Sequence, residues 1–169
     1  MARGFTLIEL VVTLLIASIL AVAAWPRGPA KESLTLNGQA DQLAADIRYA
    51  QTLAMTTTMN PATSARRGYC VRLTASTYAI EEGYDAVTAA NNCITLVTHP
   101  AGLAQPYQLC NGCMTFPVLA SSYVQFDGLG VPYSSATTPL AANAVITLND
   151  NGVVRTVTIS PITGRVIVQ

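Results

Sequence analysis

The sequence predicts an α+β chain: a long N-terminal α-helix, transmembrane in its first part and amphipathic in its second, packed on a C-terminal antiparallel β domain. Three observations carry this reading. From Phe5 to Trp25 there are 21 residues with no charge except Glu9. Between Leu36 and Ala54 apolar residues recur at helical spacing, and beyond Asn60-Pro61 the chain breaks into short alternating runs that end in an Asn-Gly hairpin. At 169 residues, 51% of them apolar, the chain is long enough for one domain with its own core plus an accessory segment.

As a helix rising 1.5 Å per residue, Phe5 to Trp25 covers roughly 30 Å, enough to span a bilayer core. Only Arg3 and the amino terminus precede it, so the positive-inside rule keeps the N-terminus cytoplasmic and sends everything after Trp25 outside, which in a bacterium is the periplasm. Residues alone leave two readings of this segment. A secretory signal peptide would be cleaved at Ala21-Val22-Ala23, but the apolar run exceeds a usual h-region and Glu9 opposes the charge pattern of signal peptides. A plain single-span anchor accounts for the length and leaves Glu9 and the sharp Gly4-Phe5 boundary without a reason.

Pro26-Arg27-Gly28-Pro29 should kink or break the helix, because proline removes a backbone donor. A second helix is expected over roughly 33 to 59. Its stripe, Leu36, Ala40, Leu43, Ile47, Ala50 and Ala54, should pack on a sheet, with Asp41, Asp46 and Arg48 off the stripe. A coiled-coil seam is the competing reading, and three alanines among the six positions count against it. Strands are expected at Tyr69 to Thr74 and Thr77 to Glu82 as a hairpin about Ala75-Ser76, then at Ile94 to Thr98 and Tyr123 to Phe126. The last hairpin joins Ala144 to Asp150 and Val153 to Ser160 through Asn151-Gly152, which favours a type I′ turn. A final strand runs from Arg165 to Gln169, while roughly 83 to 120 reads as a loop-rich region.

After a very short basic leader, Gly4-Phe5-Thr6-Leu7-Ile8-Glu9 resembles the processing motif of type IV pilins and type II secretion pseudopilins. The resemblance implies a pilin-like fold, a leader of Met1 to Gly4, and cleavage after Gly4 by a prepilin peptidase that also methylates Phe5. It puts Glu9 at the position where the family keeps a glutamate for assembly, and Pro26 matches a proline common in these helices, the expected kink. Physics agrees about the charge. A carboxylate in hydrocarbon costs on the order of 3 kcal/mol and tends to be kept only with a partner. Cleavage makes one, the α-amine of Phe5 on a neighbouring subunit. The bland alternative is that Glu9 pairs within its own helix and favours the positive helix end. At the other end, Phe126-Asp127-Gly128-Leu129-Gly130 and Val157 to Val166 resemble the H-type pseudopilins of type II secretion and the related minor pilins of the FimT and MSHA types.

Four cysteines, Cys70, Cys93, Cys110 and Cys113, all lie beyond the apolar segment. Cys110-Asn-Gly-Cys113 has the spacing of a redox pair or of half a zinc site completed by Cys70 and Cys93. In a domain outside the cytoplasm, structural disulfides are the default. Of three pairings, Cys70 with Cys93 and Cys110 with Cys113 is the one expected, and the sequence leaves connectivity open.

The rest of the sequence excludes more than it offers. The single histidine, His99, reads as a surface residue before Pro100, and no catalytic order or phosphate loop stands near it. Glu81, Glu82 and Asp85 read as a solvated strand end rather than a cation site, and Arg66-Arg67 as a solvated turn. No enzyme, catalytic residue, metal or cofactor is expected. DNA-binding FimT-type pilins end in Gly-Arg-x-Arg, whereas Gly164-Arg165-Val166-Ile167 lacks the second arginine. Loss of Arg3 with the leader also leaves eight basic against nine acidic side chains, so nucleic acid is not an expected partner.

The expected organisation is therefore a leader at 1–4, a membrane or filament-core helix at 5–25, a hinge and amphipathic helix at 26–60, and a periplasmic β domain at 61–169. The expected function is a minor pilin or pseudopilin, a structural subunit drawn from the inner membrane into a pilus or a secretion pseudopilus. Its partners would be other pilin or pseudopilin subunits, the prepilin peptidase, the inner membrane and assembly platform proteins. The alternative is an anchored or secreted monomeric binding module, including a FimT-like DNA-uptake pilin.

Overall fold

A computed structural model describes residues 7–24, 30–57, 67–84, 93, 95–100, 102, 104–109, 113–116, 119, 122–135 and 138–169. Chain contacts divide the protein into two units, Met1–Lys31 and Glu32–Gln169. The first holds helix α1, Leu7–Ala24. Among the described residues no helix is long and apolar enough to cross a membrane; Phe5, Thr6 and Trp25 of the expected span lie outside them. The expected kink at Pro26 also falls outside the described residues, as do Gly4, Phe5, Arg66 and Cys110, while Arg67, expected in a turn with Arg66, is the first residue of a strand.

The second unit is built on helix α2, Ala30–Thr56, whose span differs from the expected one by a few residues at each end. Its core face holds Leu36, Ala40, Leu43, Ile47, Ala50 and Ala54, each at most 1% exposed, joined by Ala44.

Among the described residues ten strands follow: β1 Arg67–Leu73, β2 Thr77–Tyr84, β3 Thr95–Leu96, β4 Tyr107–Gln108, β5 Met114–Thr115, β6 Tyr123–Phe126, β7 Pro132–Tyr133, β8 Ala144–Asp150, β9 Val153–Ile159 and β10 Val166–Val168. They form two antiparallel sheets, β3-β2-β1-β6-β7 with β4 also on β2, and β10-β9-β8-β5. The first hairpin closes where Thr74 donates its amide to the Thr77 carbonyl at 2.8 Å and takes the Thr77 amide on its hydroxyl at 2.9 Å. The last hairpin turns at Asn151 and Gly152, with φ of 49° and 83°, the two left-handed positions a type I′ turn requires. Three two-residue strands, β4, β5 and β7, were not legible in the sequence, since two residues cannot show an alternation.

Period-two alternation builds one core under both sheets. Tyr69, Val71 and Leu73 point inward from β1, with Val124 and Phe126 from β6, Ala144, Ile146 and Leu148 from β8, and Val157 and Ile159 from β9. They meet the α2 stripe in a single cluster. Cys70 and Tyr123 have the opposite parity and form a second cluster with Cys93 on the outer face of the first sheet.

Because Leu43 is fully buried in the common core, Leu43→Ala should lower unfolding free energy by about 2–5 kcal/mol. In the same denaturant titration, exposed Asp41→Ala should stay within about 0.5 kcal/mol of the parent.

Candidate functional site

Three arrangements on the chain go beyond core packing. The first is α1. Every described side chain from Ile8 to Ser18 is exposed, including Ile8 at 69% and Leu14 at 63%. A helix apolar on all sides is stable only where something other than water covers it. Its two hydroxyls satisfy themselves on their own backbone: Thr13 Oγ1 donates to the Leu10 carbonyl at 2.9 Å and Ser18 Oγ to that of Leu15 at 2.8 Å. Neither therefore needs water. Glu9 stands in the first turn, where the positive end of the helix favours a carboxylate.

The second arrangement unites the two stretches that carry the H-type resemblance. Asp127 accepts the amides of Leu129 at 2.9 Å and Val131 at 2.8 Å on one carboxylate oxygen, which fixes the loop leaving β6. The turn between β9 and β10 is closed by Ser160 and Arg165, with the Ser160 amide donating to the Arg165 carbonyl at 2.9 Å. Gln51 of α2 joins them: its Nε2 donates to the Gly130 carbonyl at 2.9 Å and to that of Thr163 at 3.1 Å. Gly130 and Gly164 have φ of 78° and 63°, and a Cβ on Gly164 would stand 2.7 Å from the Gly130 carbonyl oxygen. Gly164 is thus required by the close approach of the two loops, and Gly130 by its left-handed backbone and by Met55 of α2, whose Sδ would lie 2.9 Å from a Cβ there. Arg48 ties the next residue along, donating to the Val166 carbonyl at 3.0 Å.

The third arrangement overturns two expectations. Asp46, expected off the stripe, is 2% exposed. It lies three residues from Leu43 and four from Ala50, on the edge of the buried face, and polar partners compensate its burial. Tyr78 Oη donates to it at 2.6 Å, and Gln42 Nε2 reaches both carboxylate oxygens at 3.1 Å. His99, expected at the surface, has a side chain 11% exposed with Nε2 3.3 Å from Asp46 Oδ1. It sits edge-on to Tyr49 and to Tyr107, at centroid distances of 5.4 and 5.8 Å. A histidine so near a proline gave no periodic signal, and its burial is set by the loop that carries β4.

Of the expected acidic strand end, Asp85 lies outside the described residues, and Glu81 and Glu82 do not cluster. Glu81 and Glu82 point to opposite faces of β2, and Glu81, 8% exposed, takes the Arg72 guanidinium at 2.9 Å. Arg72 also donates to the Cys93 carbonyl and lies over the Tyr123 ring, 5.6 Å from its centroid. This outer-face network holds the segment that Cys93 bonds to Cys70 in a disulfide, so neither thiol is available to a zinc site. Cys113 is disulfide-bonded as well. Among the described residues no three potential metal ligands converge.

Burial, then the hydrogen bond to Asp46, then its negative charge, push the Tyr78 hydroxyl well above the usual tyrosine range. Burial and the charge of Asp46 push Tyr107 upward too. Both phenols hold their protons more tightly folded than unfolded. Their stabilisation is complete below the unfolded value of about 10 and falls as pH rises beyond it. Urea unfolding between pH 8 and 12 should therefore show stability declining above about pH 10, with a shallower decline in Tyr78→Phe. At neutral pH that variant should lose about 1–3 kcal/mol, because Asp46 is left short of a donor.

Residues 1–25 match the family model of the prokaryotic N-terminal methylation motif, the prepilin signal of type IV pilin-type proteins. The match covers Gly4, Phe5 and Glu9 and ends before Pro26. No curated protein and no solved structure matches the chain. With its α+β fold of helix and antiparallel sheets, the chain carries a motif that supports a pilin-like or pseudopilin-like protein, one that implies processing by prepilin peptidase and assembly with other pilins.

Proposed function

We propose that the protein is a minor pilin or pseudopilin of the H type, a structural subunit and not an enzyme. The observation that carries this reading is the methylation motif leading into a helix whose described surface is apolar on every side. In this account residues 1–4 are a leader removed at Gly4, and Phe5 becomes the methylated terminus. The helix at 5–25 holds the subunit in the inner membrane until assembly platform proteins pass it into a filament. Pro26 marks the joint to the rest of the chain, and the β domain faces outward in the periplasm, stiffened by its disulfides.

Glu9 sets register in that filament. Its charge is costly in hydrocarbon, on the order of 3 kcal/mol at mid-membrane, and the amine created at Phe5 of the next subunit offsets that cost. The Gln51 clamp supports the assignment to the H-type branch, because it explains why both resembling stretches need their glycines at one place in the fold. The mature chain carries eight basic and nine acidic side chains, so the reading as a DNA-uptake pilin lacks the cations that would release phosphate counterions.

Mass spectrometry of the protein from its native membrane should find a chain beginning at N-methylated Phe5. A chain beginning at Ala24 would identify a signal peptide and sink the proposal. In a second test, Glu9→Gln should leave processing intact and reduce the amount recovered in sheared filaments by about tenfold or more, the loss of a pairing worth at least about 1.4 kcal/mol. Normal recovery beside native subunits would show that the charge has no part in assembly.

A further inference from the structure

Two apolar side chains of the second unit stand further into solvent than any described side chain of α1. Leu129 is 78% and Ile162 77% exposed, against 69% for Ile8. Each occupies the apex of a tight turn. Leu129 lies in the turn that Gly130 closes by donating its amide to the Asp127 carbonyl at 2.9 Å, and Ile162 in the turn that the Thr163 amide closes on the Pro161 carbonyl at 2.7 Å. These are the two loops that Gln51 draws together, so both tips stand by the C-terminal end of α2. Met55, 49% exposed, adjoins them with its Sδ against Gly130.

Ile162 is the informative residue. Its φ is 68°, at the centre of a γ-turn of the strained hand, where a β-branched residue is a genuine outlier. Glycine would adopt that conformation freely. Because the side chain is in solvent, packing inside the chain does not offset the strain. An apolar surface outside the chain would.

The neighbouring charges say which surface. Arg165 closes the same turn, its carbonyl taking the Ser160 amide, and its side chain is exposed. Arg48, which donates to the Val166 carbonyl at 3.0 Å, is exposed beside it. The carboxylate in these two loops, Asp127, is turned inward on the amides of Leu129 and Val131. Apolar tips flanked by arginines match a bilayer with anionic headgroups, where the tips enter the acyl boundary and the guanidinium groups meet phosphate. A protein partner would need roughly 800 Å² of complementary surface. Around the tips the described residues Thr52, Thr56, Gly128 and Thr163 are instead small and exposed. We propose that this end of the second unit docks on an anionic phospholipid surface, with Leu129 and Ile162 inserted and Arg165 on the phosphates.

The test uses the full chain in lipid nanodiscs, with a nitrobenzoxadiazole dye placed on Leu129→Cys, or on Val154→Cys at the other end of β9 as a control. Among the described residues no native cysteine is free to react. A nitroxide on the lipid acyl chains quenches the dye only where it enters lipid. Phosphatidylglycerol is supplied either in the nanodisc that carries the protein or in vesicles added to phosphatidylcholine nanodiscs. The dye at 129 should be quenched in at least one of these arrangements, and the dye at 154 in neither. Phosphatidylcholine alone should quench at least about fivefold less. Ile162→Gly, relieved of strain, should melt at an unchanged or higher temperature and yet lose most of the quenching. Arg165→Gln should need about fivefold more phosphatidylglycerol, the loss of one cation at the surface. Four results would overturn the proposal: no quenching at 129 in either arrangement, equal quenching by phosphatidylcholine, equal quenching at 154, or full quenching in Ile162→Gly. Filament assembly does not enter these readouts, so the outcome is independent of the subunit assignment.

Discussion

The account turns on one constraint, an apolar helix that bears a single carboxylate. From Ile8 to Ser18 the described surface of α1 offers nothing that water solvates well except Glu9, since the two hydroxyls are engaged by their own helix. Such a helix needs a lipid or protein surround, and the carboxylate needs an opposite charge within it. A lipid bilayer meets the first demand, and a filament core of like helices meets it again. In the proposed account the second is met by an amine that exists only after the leader is removed, and processing and assembly are then successive consequences of the same electrostatic requirement.

The described part of the second unit is tied together at many points. The alanine-rich stripe of α2 packs into a core shared by two sheets. Three side chains on that helix reach out of the stripe to fasten what surrounds it. Asp46 gathers Tyr78 and His99, Arg48 takes the Val166 carbonyl, and Gln51 holds the Gly130 and Thr163 carbonyls. On the outer face of the first sheet, Arg72 links Glu81, Cys93 and Tyr123 around the Cys70–Cys93 disulfide. Loops that would otherwise be free to rearrange are therefore tied to regular structure at several points.

Much of this was legible because it obeys a period. The α2 stripe shows the helical repeat, β1, β8 and β9 show strand alternation, and Asn151-Gly152 announces its own turn. What was not legible is long-range and polar. Asp46 looks like a solvated residue on a helical wheel, and its burial depends on Tyr78, 32 positions later, and on His99. Glu81 looks like part of an acidic cluster until strand geometry turns it toward Arg72 and away from Glu82. Gly130 and Gly164 were recognisable only by resemblance. Their physical reasons, the approach of the other loop to Gly164 and of Met55 and Gln51 to Gly130, appear only when the strands and α2 are in place.

The central claim is that the Glu9 carboxylate is paired between subunits rather than within one. Dicyclohexylcarbodiimide, which enters apolar surroundings, joins a carboxylate to an amine only when the two are already in contact. Treated native filaments should yield a covalent adduct of two subunits whose digest contains a Glu9 side chain joined to the terminal amine of a neighbour. A bond between Glu9 and Phe5 of the same chain, with no adduct of two subunits, would contradict the account.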